Sequence, residues 1–336
     1  MHVWLPYVKS GGGADIYTKL LESALKKYGI KVTSTAYPHF FEYNPFLLKF
    51  IRPPNNVKFI VATTLNGFVF KRKNCKLIVV EHHCIFDPLY KKIKTLYQKI
   101  YHEMIIRYFE KNSLKSSDYL VAVSDYTDKS LQSSFPGYNP KVIYNGIDTD
   151  FFCPNNILQD KREKSDSLHK LLFVGNISTR KGADLLPSIM DKLGKNYQLY
   201  YTSGLQKRSV LSSHPQMHPL GQLSLYDLRK AYREADLLLF PSRFEGFGYA
   251  PVEAMSCGTP VVASRCSALP ETIQHGTTGM LCTPDHIDEF ARSIQELVTN
   301  RRELARMGYR ARQSVVSRFN LDRLARDYLE VFEEIV

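Results

Sequence analysis

The sequence predicts an α/β protein made of two doubly wound parallel sheets. The chain has 336 residues, which is more than one hydrophobic core usually organises. Short apolar runs alternate with helical patterns twice along the chain, as expected of βαβ units, and a polar, charged stretch separates the two series. We therefore expect an N-terminal domain over 1–155, a linker over 156–168, a C-terminal domain over 169–316, and a helical segment over 317–336 that packs back toward the first domain.

The composition is that of a folded globular protein, with 44% hydrophobic and 23% charged residues. No run of about 18 uncharged apolar residues predicts a transmembrane helix, and the first residues lack a signal-peptide pattern. The six cysteines are scattered without a C-x-x-C pair, which argues against a zinc site or a disulfide framework. These features favour a reducing, cytoplasmic environment.

The net charge of +12 is concentrated in the N-terminal half. Residues 1–150 contain 21 Lys and Arg against 12 Asp and Glu, whereas residues 151–336 contain 24 against 21. This basic half could bind an anionic substrate, an anionic membrane or nucleic acid. The simplest alternative is a basic surface that is only solvated.

The first series begins with a strand over 3–8, a glycine loop at 11–13 and a helix that ends near Lys27. The loop lacks the G-x-G-x-x-G spacing of dinucleotide-binding folds, so it is either a tight turn or a place where a ligand approaches the backbone. Residues 36–56 predict a loop with at most a short helix. Further strands are expected at 30–35, 57–63, 77–81, 119–123 and 141–144.

His82 and His83 directly follow the strand 77–81. Open α/β sheets bind ligands at the carboxyl ends of their strands, so this position favours a functional role for His82, with His83 as an ambiguous neighbour. Residues 88–115 then show a continuous helical pattern with interleaved lysines. It predicts one long helix that either faces the core or docks on anionic lipid.

The second series starts with a strand over 170–174, and Arg180-Lys181 lies in the loop after it. Two adjacent cations at a carboxyl strand end suit a diphosphate, although a solvated basic loop has the same pattern. The later expected elements are a helix to Leu193, strands at 197–201, 259–263 and 279–282, a short strand and loop at 221–224, and helices at 225–235, 285–300, 302–316 and 321–336.

The stretch from Arg243 to Glu253 joins an apolar strand, 237–242, to a helix start. Gly246 and Gly248 allow a tight turn, and Pro251 suits the first turn of a helix. Glu245 precedes the turn and Glu253 lies within the helix. Two carboxylates, a glycine turn and a helix N-terminus suit an anionic ligand that also carries hydroxyls, such as a nucleotide sugar.

The tripeptide Asp148-Thr149-Asp150 is formally a D-x-D motif, which carries a metal ion in some sugar transferases. It follows a glycine turn and precedes an aromatic pair and a proline. We therefore interpret it as the start of a linker and expect no metal there.

Together these pieces resemble the retaining glycosyltransferases of the GT-B fold, in the large family four that includes many bacterial surface-polysaccharide enzymes. The resemblance covers nearly the whole chain and implies two Rossmann-like domains that face a cleft. It is carried by Gly11-Gly12-Gly13-Ala14, His82, Ser124, Tyr144 to Asp148, Arg180-Lys181-Gly182, Pro241-Ser242, the E-x7-E pair Glu245 and Glu253, and Gly258 to Ala263.

The resemblance implies a role for each matching residue. Arg180 and Lys181 would neutralise the donor diphosphate, Glu253 would bind the ribose hydroxyls, and Glu245 would face the donor sugar. The other implied contacts are Gly12 and Gly13 with the diphosphate, Phe247, Gly248 and Tyr249 with the sugar or phosphate, His82 with the sugar, His83 as its neighbour, and Leu223 beside the base. Tyr249 stands where an aliphatic residue is commoner, which leaves the donor sugar open.

The implied reaction is metal-independent, retaining transfer of a hexose or N-acetylhexosamine from a nucleotide sugar, a UDP-sugar rather than GDP-mannose, to a glycan. The acceptor would be lipid-linked, in lipopolysaccharide, O-antigen or capsule biosynthesis. We expect no cofactor and no nucleic acid partner. The protein would be cytoplasmic, with peripheral attachment to an anionic membrane at the inner face of the plasma membrane.

Other classes compete with this interpretation. A phosphorylase of this fold would need a pyridoxal phosphate lysine and a longer chain, and an epimerase would share the nucleotide-sugar site. A nucleic-acid binder would need a recognition motif or an aromatic platform, neither of which is visible. A non-catalytic sugar- or lipid-binding protein would not need Arg180, Lys181, Glu245 and Glu253 all intact.

Overall fold

The computed structural model of the chain describes residues 1–155, 168–203 and 214–336. The predicted linker therefore lies, except for Leu168, outside the described residues. The chain divides into two compact units: the first comprises 1–146 with 319–336, and the second comprises 147–318. The functional domain bounds expected from the sequence, 1–155 and 169–316, stay a prediction.

The first unit is built on a parallel sheet whose strands lie in the order β2-β1-β3-β4-β5-β6. Its central strands are buried almost throughout, as expected when helices cover both faces of a parallel sheet. The strands are β1 His2–Val8, β2 Lys31–Tyr37, β3 Phe59–Thr63, β4 Lys76–Glu81, β5 Tyr119–Ala122 and β6 Lys141–Val142.

Helices connect these strands, and two short 3-10 helices, His39–Glu42 and Pro45–Phe50, lie in the segment predicted as a loop. A third 3-10 helix is Gly67–Phe70. The α-helices are α1 Gly13–Lys27, α2 Pro88–Lys92, α3 Leu96–Tyr101, α4 Arg107–Ser116 and α5 Asp125–Ser134, with a π-helical turn, His102–Ile106, between α3 and α4.

The prediction of one long helix over 88–115 was wrong. Asp87 starts α2 by accepting the Leu89 N–H, and the chain leaves the helix after Lys92. Thr95 then starts α3 with a capping box, in which its hydroxyl accepts the Gln98 N–H and the Gln98 side chain accepts the Thr95 N–H. A new N-cap satisfies backbone donors that a continuous helix would have used internally, and this ends the first helix.

The second unit contains a parallel sheet in the order β12-β11-β10-β7-β8-β9 within the described residues. Its strands are β7 His169–Phe173, β8 Tyr197–Thr202, β9 Met217–Gly221, β10 Leu237–Phe240, β11 Val261–Ser264 and β12 Gly279–Cys282. β12 lies at one edge of this sheet. The short strand and loop predicted at 221–224 place the strand too late. β9 ends at Gly221, a loop follows it as predicted, and Ser224 caps the next helix by accepting the Asp227 N–H.

The helices of the second unit pack around this sheet. They are α6 Leu186–Leu193, α7 Leu225–Glu234, α8 Tyr249–Ser256, α9 Leu269–Thr272, α10 Ile287–Thr299 and α11 Arg301–Arg318, with 3-10 turns at Thr179–Lys181 and Ala183–Leu185. Within the described residues of the whole chain, no helix is both long and apolar enough to cross a membrane.

The helix after α11, α12 Leu321–Glu334, belongs to the first unit. Its Phe332 ring lies 4.6 Å from the Phe59 ring of β3, and its Tyr328 hydroxyl is hydrogen-bonded to that of Tyr17 in α1. Tyr328 and Phe332 are almost completely buried. The predicted fold class, two doubly wound parallel sheets, is confirmed.

Candidate functional site

The turn between β10 and α8 brings two glycines and a helix N-terminus together. Gly248 has a φ of +91°, and a Cβ atom there would lie 2.9 Å from Leu269 Cδ2, so both backbone conformation and space favour glycine. α8 begins at Tyr249, with Pro251 in its first turn. The positive end of the α8 dipole therefore lies at the turn predicted from the sequence, where it favours a negative ligand.

Glu245 is the centre of a cation cluster at this turn. Its Oε1 atom lies 2.6 Å from Lys181 Nζ and 3.6 Å from Arg180 Nη1, and it accepts a hydrogen bond of 2.6 Å from Ser242 Oγ. The carboxylate is buried, which alone would raise its pKa. The two positive charges and the hydrogen bonds outweigh burial and hold the pKa of Glu245 below its ordinary value.

Backbone contacts hold the loop after β7 against the turn after β10. A Cβ atom on Gly182, whose φ is +70°, would lie 2.0 Å from the Pro241 carbonyl oxygen, so the two segments pass as closely as a glycine allows. The Arg243 N–H donates to the Arg180 carbonyl at 2.8 Å, and Arg180 Nη1 donates to the Phe244 carbonyl at 3.0 Å. These contacts fix the position of Arg180 and Lys181 relative to Glu245.

Glu253 lies inside the second unit and has a different environment from Glu245. Its Oε2 atom accepts a hydrogen bond of 2.8 Å from the hydroxyl of Tyr232, a residue of α7 that is completely buried. Burial raises the pKa of Glu253 to about 7, although the Tyr232 hydrogen bond opposes this shift. The two acids of the E-x7-E pair therefore differ: Glu245 is an ion-paired carboxylate, and Glu253 is poised between its neutral and charged forms near pH 7.

The remaining predicted residues of the second unit lie near the same sheet edge. Phe247 is buried, Tyr249 is half-buried, and their rings are 5.4 Å apart. Leu223 is half-buried after the carboxyl end of β9, and in a parallel sheet that end shares an edge with those of β7 and β10. Arg243, which opens the motif, forms ion pairs with Asp184 and Asp285.

Sequence reasoning missed three side chains that organise this site. Ser242 and Ser267 fix Glu245, through the bond to Oε1 and through a 2.8 Å bond from the Glu245 N–H to Ser267 Oγ. Tyr232 fixes Glu253. The family resemblance included Pro241-Ser242 but implied no role for either residue. Tyr232 has no signal in the sequence, because it contacts Glu253 only through the packing of α7 on α8.

The D-x-D tripeptide forms a local turn. Asp148 Oδ1 accepts the N–H groups of Asp150 and Phe151 at 3.1 and 2.8 Å. Among the described residues, no three His, Cys, Asp or Glu side chains are grouped as metal ligands. The expected metal independence stays a prediction.

In the first unit, the glycine loop lies between β1 and α1. Gly11 has a φ of +72°, Gly12 caps α1 in an extended conformation, and Gly13 is the first residue of the helix. The buried Asp15 accepts the N–H groups of Ser10, at 3.1 Å, and of Gly11, at 2.7 Å. The loop is therefore shaped by a carboxylate that the sequence interpretation did not single out.

His82 follows β4 at the carboxyl edge of the first sheet and is half-buried. Its ring packs edge-on against Tyr17 with centroids 4.7 Å apart, and within the described residues its Nε2 atom is buried without a hydrogen-bond partner. Burial, followed by the charge of His83, lowers the pKa of His82 to about 3, so the imidazole is neutral at pH 7. His83 is exposed, and its N–H donates to Glu81 Oε1 at 3.1 Å.

Comparison with known proteins identifies the family. Residues 11–151 match the family model described as Glycosyltransferase Family 4, and residues 155–314 match the one described as Glycosyl transferases group 1. This chain is of the GT-B glycosyltransferase type. Each of its units thus carries one of the two family patterns.

Solved structures similar to this GT-B chain share its fold. Sucrose-phosphate synthase from Thermosynechococcus elongatus superposes with a TM-score of 0.83 at 19% identity, covering 99% of this chain and 98% of that chain. Anabaena HepE, solved in complex with UDP-glucose, superposes with a TM-score of 0.78 at 18% identity, covering 98% and 99%.

Sequence relatives of the GT-B chain are longer than the regions they share with it. An uncharacterized glycosyltransferase of Methanocaldococcus jannaschii is 28% identical over 68% of this chain and 63% of its own length. The N-acetyl-alpha-D-glucosaminyl L-malate synthase of Bacillus anthracis is 25% identical over 66% of this chain and 61% of its own length. The chain thus matches less than two thirds of the length of these two relatives.

Proposed function

We propose that this chain is a retaining glycosyltransferase that moves a hexose or N-acetylhexosamine from a nucleotide sugar to a glycan acceptor. The observation that carries the proposal is the cluster of Lys181, Arg180 and Glu245 beside the N-terminus of α8. It provides two cations for a diphosphate and a carboxylate for sugar hydroxyls. We favour a UDP-sugar over GDP-mannose, because HepE, of the same fold, was solved with UDP-glucose.

In the proposed reaction, the bond between the anomeric carbon and the diphosphate oxygen breaks, and an acceptor hydroxyl forms the new bond to that carbon. The acceptor proton passes to the leaving phosphate, so the products are the glycoside and the nucleoside diphosphate. Negative charge grows on the leaving oxygen, where Lys181, Arg180 and the α8 dipole stabilise it. Because these groups supply positive charge, we propose that the reaction needs no metal ion. Retention of configuration rests on the family resemblance.

The other residues complete the proposed donor contacts. Glu253 binds the ribose hydroxyls, and the hydrogen bond from Tyr232 supports this role by holding its carboxylate in one orientation. The backbone of Phe247, Gly248 and Tyr249 meets the sugar or phosphate, and Leu223 flanks the base. For the first unit we propose that Gly12 and Gly13 approach the diphosphate and that the neutral His82 donates or accepts a hydrogen bond with the sugar, while His83 stays secondary.

We further propose that the acceptor is a lipid-linked glycan of a bacterial surface polysaccharide, lipopolysaccharide, O-antigen or capsule. The enzyme would then work in the cytoplasm and attach peripherally to the inner face of the plasma membrane. The excess of basic residues in the first half of the chain supports this placement.

A donor screen tests the central proposal. UDP, GDP and their sugars are added singly to the protein, and the melting temperature is measured, since a ligand that binds only the folded state raises it. The donor that raises it most is then incubated with the enzyme, and release of the nucleoside diphosphate is followed. We expect a UDP-sugar to stabilise the protein and to be turned over. A protein that binds the donor without turnover would be a non-catalytic or epimerase-like relative, and a protein stabilised by none would contradict the proposal.

A further inference from the structure

Exposed apolar side chains are concentrated in one part of the first unit. More than half of the large apolar side chains that are exposed in the described residues lie between residues 40 and 108. Their exposed fractions run from 38% at Leu89 to 84% at Phe50, and soluble proteins rarely gather so many in one region. They are Phe40, Tyr43, Phe46, Leu47, Phe50, Leu89, Leu96, Tyr97, Ile100, Met104, Ile105 and Tyr108.

The two segments that carry these side chains, 40–50 and 89–108, adjoin one another. The Phe46 ring lies 5.8 Å from the Phe109 ring of α4 and 5.6 Å from the Phe68 ring, both of which belong to the core of the unit. Phe41 of the first segment and Tyr101 of α3 pack against this same core cluster, which places the first segment on the side of α3. We call the exposed residues of these two segments the apolar face.

Packing within the unit does not explain the apolar face. α2 and α3 have no buried residue at all, although Leu96, Tyr97 and Ile100 are three of the six residues of α3. α3 continues without a break through the π-helical turn into α4, which is anchored in the core by Phe109 and Leu114, so the helix does not need these three side chains for its own packing. Apolar side chains left exposed on such a helix form a surface that another apolar medium can cover.

The charges beside the apolar face are positive. Of its acidic neighbours, Glu103 is paired with Lys91 and Arg107, at 3.0 and 2.6 Å, and Glu42 lies 2.9 Å from the ring of His39. Four exposed lysines, Lys49, Lys92, Lys99 and Lys111, form no ion pair within the part of the chain that the structure describes. The cations are therefore available to an external anion.

We propose that the apolar face docks on an anionic lipid bilayer, with its aromatic and aliphatic side chains among the headgroups and its lysines against the phosphates. This deepens the proposed function, on which it rests for the lipid-linked acceptor, by naming the surface that meets the membrane. Apolar residues flanked by lysine are the pattern of interfacial segments. A second copy of the chain fits less well, because it would bring the four lysines against the same four lysines.

Vesicle flotation tests the proposal without any activity measurement. The protein is mixed with phosphatidylcholine vesicles that contain about one third phosphatidylserine, or with phosphatidylcholine alone, at low and at high salt. We expect binding to the anionic vesicles that weakens with salt, and little binding to the neutral ones. Lys92→Ala with Lys99→Ala should lower the affinity about 25-fold, at about 1 kcal/mol for each lysine. Phe50→Ser with Leu96→Ser and Met104→Ser should lower it at least as much.

A control variant distinguishes binding through the apolar face from nonspecific attraction between a basic protein and anionic vesicles. Lys31 and Lys76 are exposed at the amino ends of β2 and β4, the opposite sheet edge from the loops that lead to the apolar face. Their double change to Ala should leave vesicle binding within about twofold. UDP stabilisation, measured on every variant, reports folding and the donor site independently, so loss of UDP binding would count against the proposed function and not against the docking surface.

Several results would overturn the docking proposal. One is wild-type protein that UDP stabilises but that floats with neither kind of vesicle. Another is a set of apolar-face variants that bind the vesicles as tightly as the wild type does. Binding lost equally in the Lys31 and Lys76 control would show nonspecific charge attraction. A concentration-dependent dimer that Leu96→Ser abolishes, with no flotation, would show that a second copy covers the face.

Discussion

The Nζ atom of Lys181 lies 2.6 Å from Oε1 of Glu245, and this ion pair joins the loop after β7 to the turn after β10. Ser242 bonds the same oxygen, so one carboxylate oxygen holds a cation and a hydroxyl while Oε2 is left to other partners. Glu245 thus partly neutralises the cations that the donor diphosphate would need. A diphosphate that binds there must share Lys181 and Arg180 with Glu245.

Replacing Glu245 should therefore tighten the binding of a simple anion. We expect Glu245→Gln to increase the affinity for inorganic pyrophosphate about tenfold, because one negative charge next to Lys181 and Arg180 is removed. Sugar transfer should fall at the same time. Isothermal titration calorimetry measures the affinity for pyrophosphate, and Glu296→Gln, on the exposed face of α10, is the control. Unchanged or weaker binding would show that Glu245 does not offset the cation pair.

Loss of Lys181 should slow the chemical step. We expect Lys181→Ala to lower kcat about 100-fold or more, the usual cost of removing one group that stabilises developing charge. The fold should persist, because Ser242 and Arg180 still contact Glu245. Lys192→Ala, which removes a surface pair of 2.8 Å with Asp288, is the matched control. A Lys181 variant with a nearly normal rate would remove this residue from the mechanism.

Tyr232 should affect the binding of the nucleoside part of UDP and not the binding of its phosphates. Tyr232→Phe removes only the hydroxyl that holds Glu253 Oε2. We expect the affinity for UDP to fall about fivefold, as for one lost hydrogen bond, while the affinity for inorganic pyrophosphate stays the same. Titration of both ligands on one variant makes the comparison. Equal losses for both ligands would mean that the substitution disturbs the site as a whole.

Glu253 should make stability depend on pH. Its folded-state pKa of about 7 lies above the ordinary 4.5, so between these values the unfolded chain has released a proton that the folded chain retains. Stability therefore falls as pH rises through this window. Relative to Glu253→Gln, the wild type should lose on the order of 3 kcal/mol of unfolding free energy from about pH 4.5 to about pH 7. Urea unfolding of both proteins across this pH range measures the difference. If the unfolding free energies of the two proteins change with pH in the same way, Glu253 does not have a raised pKa.

The glycines Gly182 and Gly29 share a left-handed φ but differ in the space around them. Their φ angles are 70° and 73°, and a Cβ atom on Gly182 would meet the Pro241 carbonyl at 2.0 Å, whereas one on Gly29 would meet nothing within 4 Å. Gly29→Ala should cost roughly 1 kcal/mol for the backbone conformation alone. Gly182→Ala should cost roughly 3 kcal/mol or more and should weaken UDP binding, since the loop that carries Arg180 and Lys181 must move. Equal melting temperatures would contradict this packing.

Sequence patterns predicted the two sheets and the glycine turn well, because each depends on local features: apolar runs, helix periodicity and residues that allow special backbone angles. The break between α2 and α3 was missed because Tyr, Ile and Lys keep the helical period through it, and only Thr95 and Gln98 mark the new start. The pairing of Tyr232 with Glu253 was not predictable, since it depends on how α7 packs on α8. The helical pattern over 88–115 predicted one part of the apolar face. The other part, segment 40–50, was not predicted, because it lies next to the first only in the folded chain.

The first unit is discontinuous in sequence, and this sets an order of events during synthesis. Phe59 of β3 leaves the ribosome early, but its partner ring, Phe332 of α12, is made only after the whole second unit. The nascent second unit can fold as soon as its own residues emerge, whereas the first must wait with an open flank until α12 arrives. A chain cut after residue 318 would therefore contain every residue of the second unit but lack one element of the first, so such a truncation leaves only the first unit incomplete.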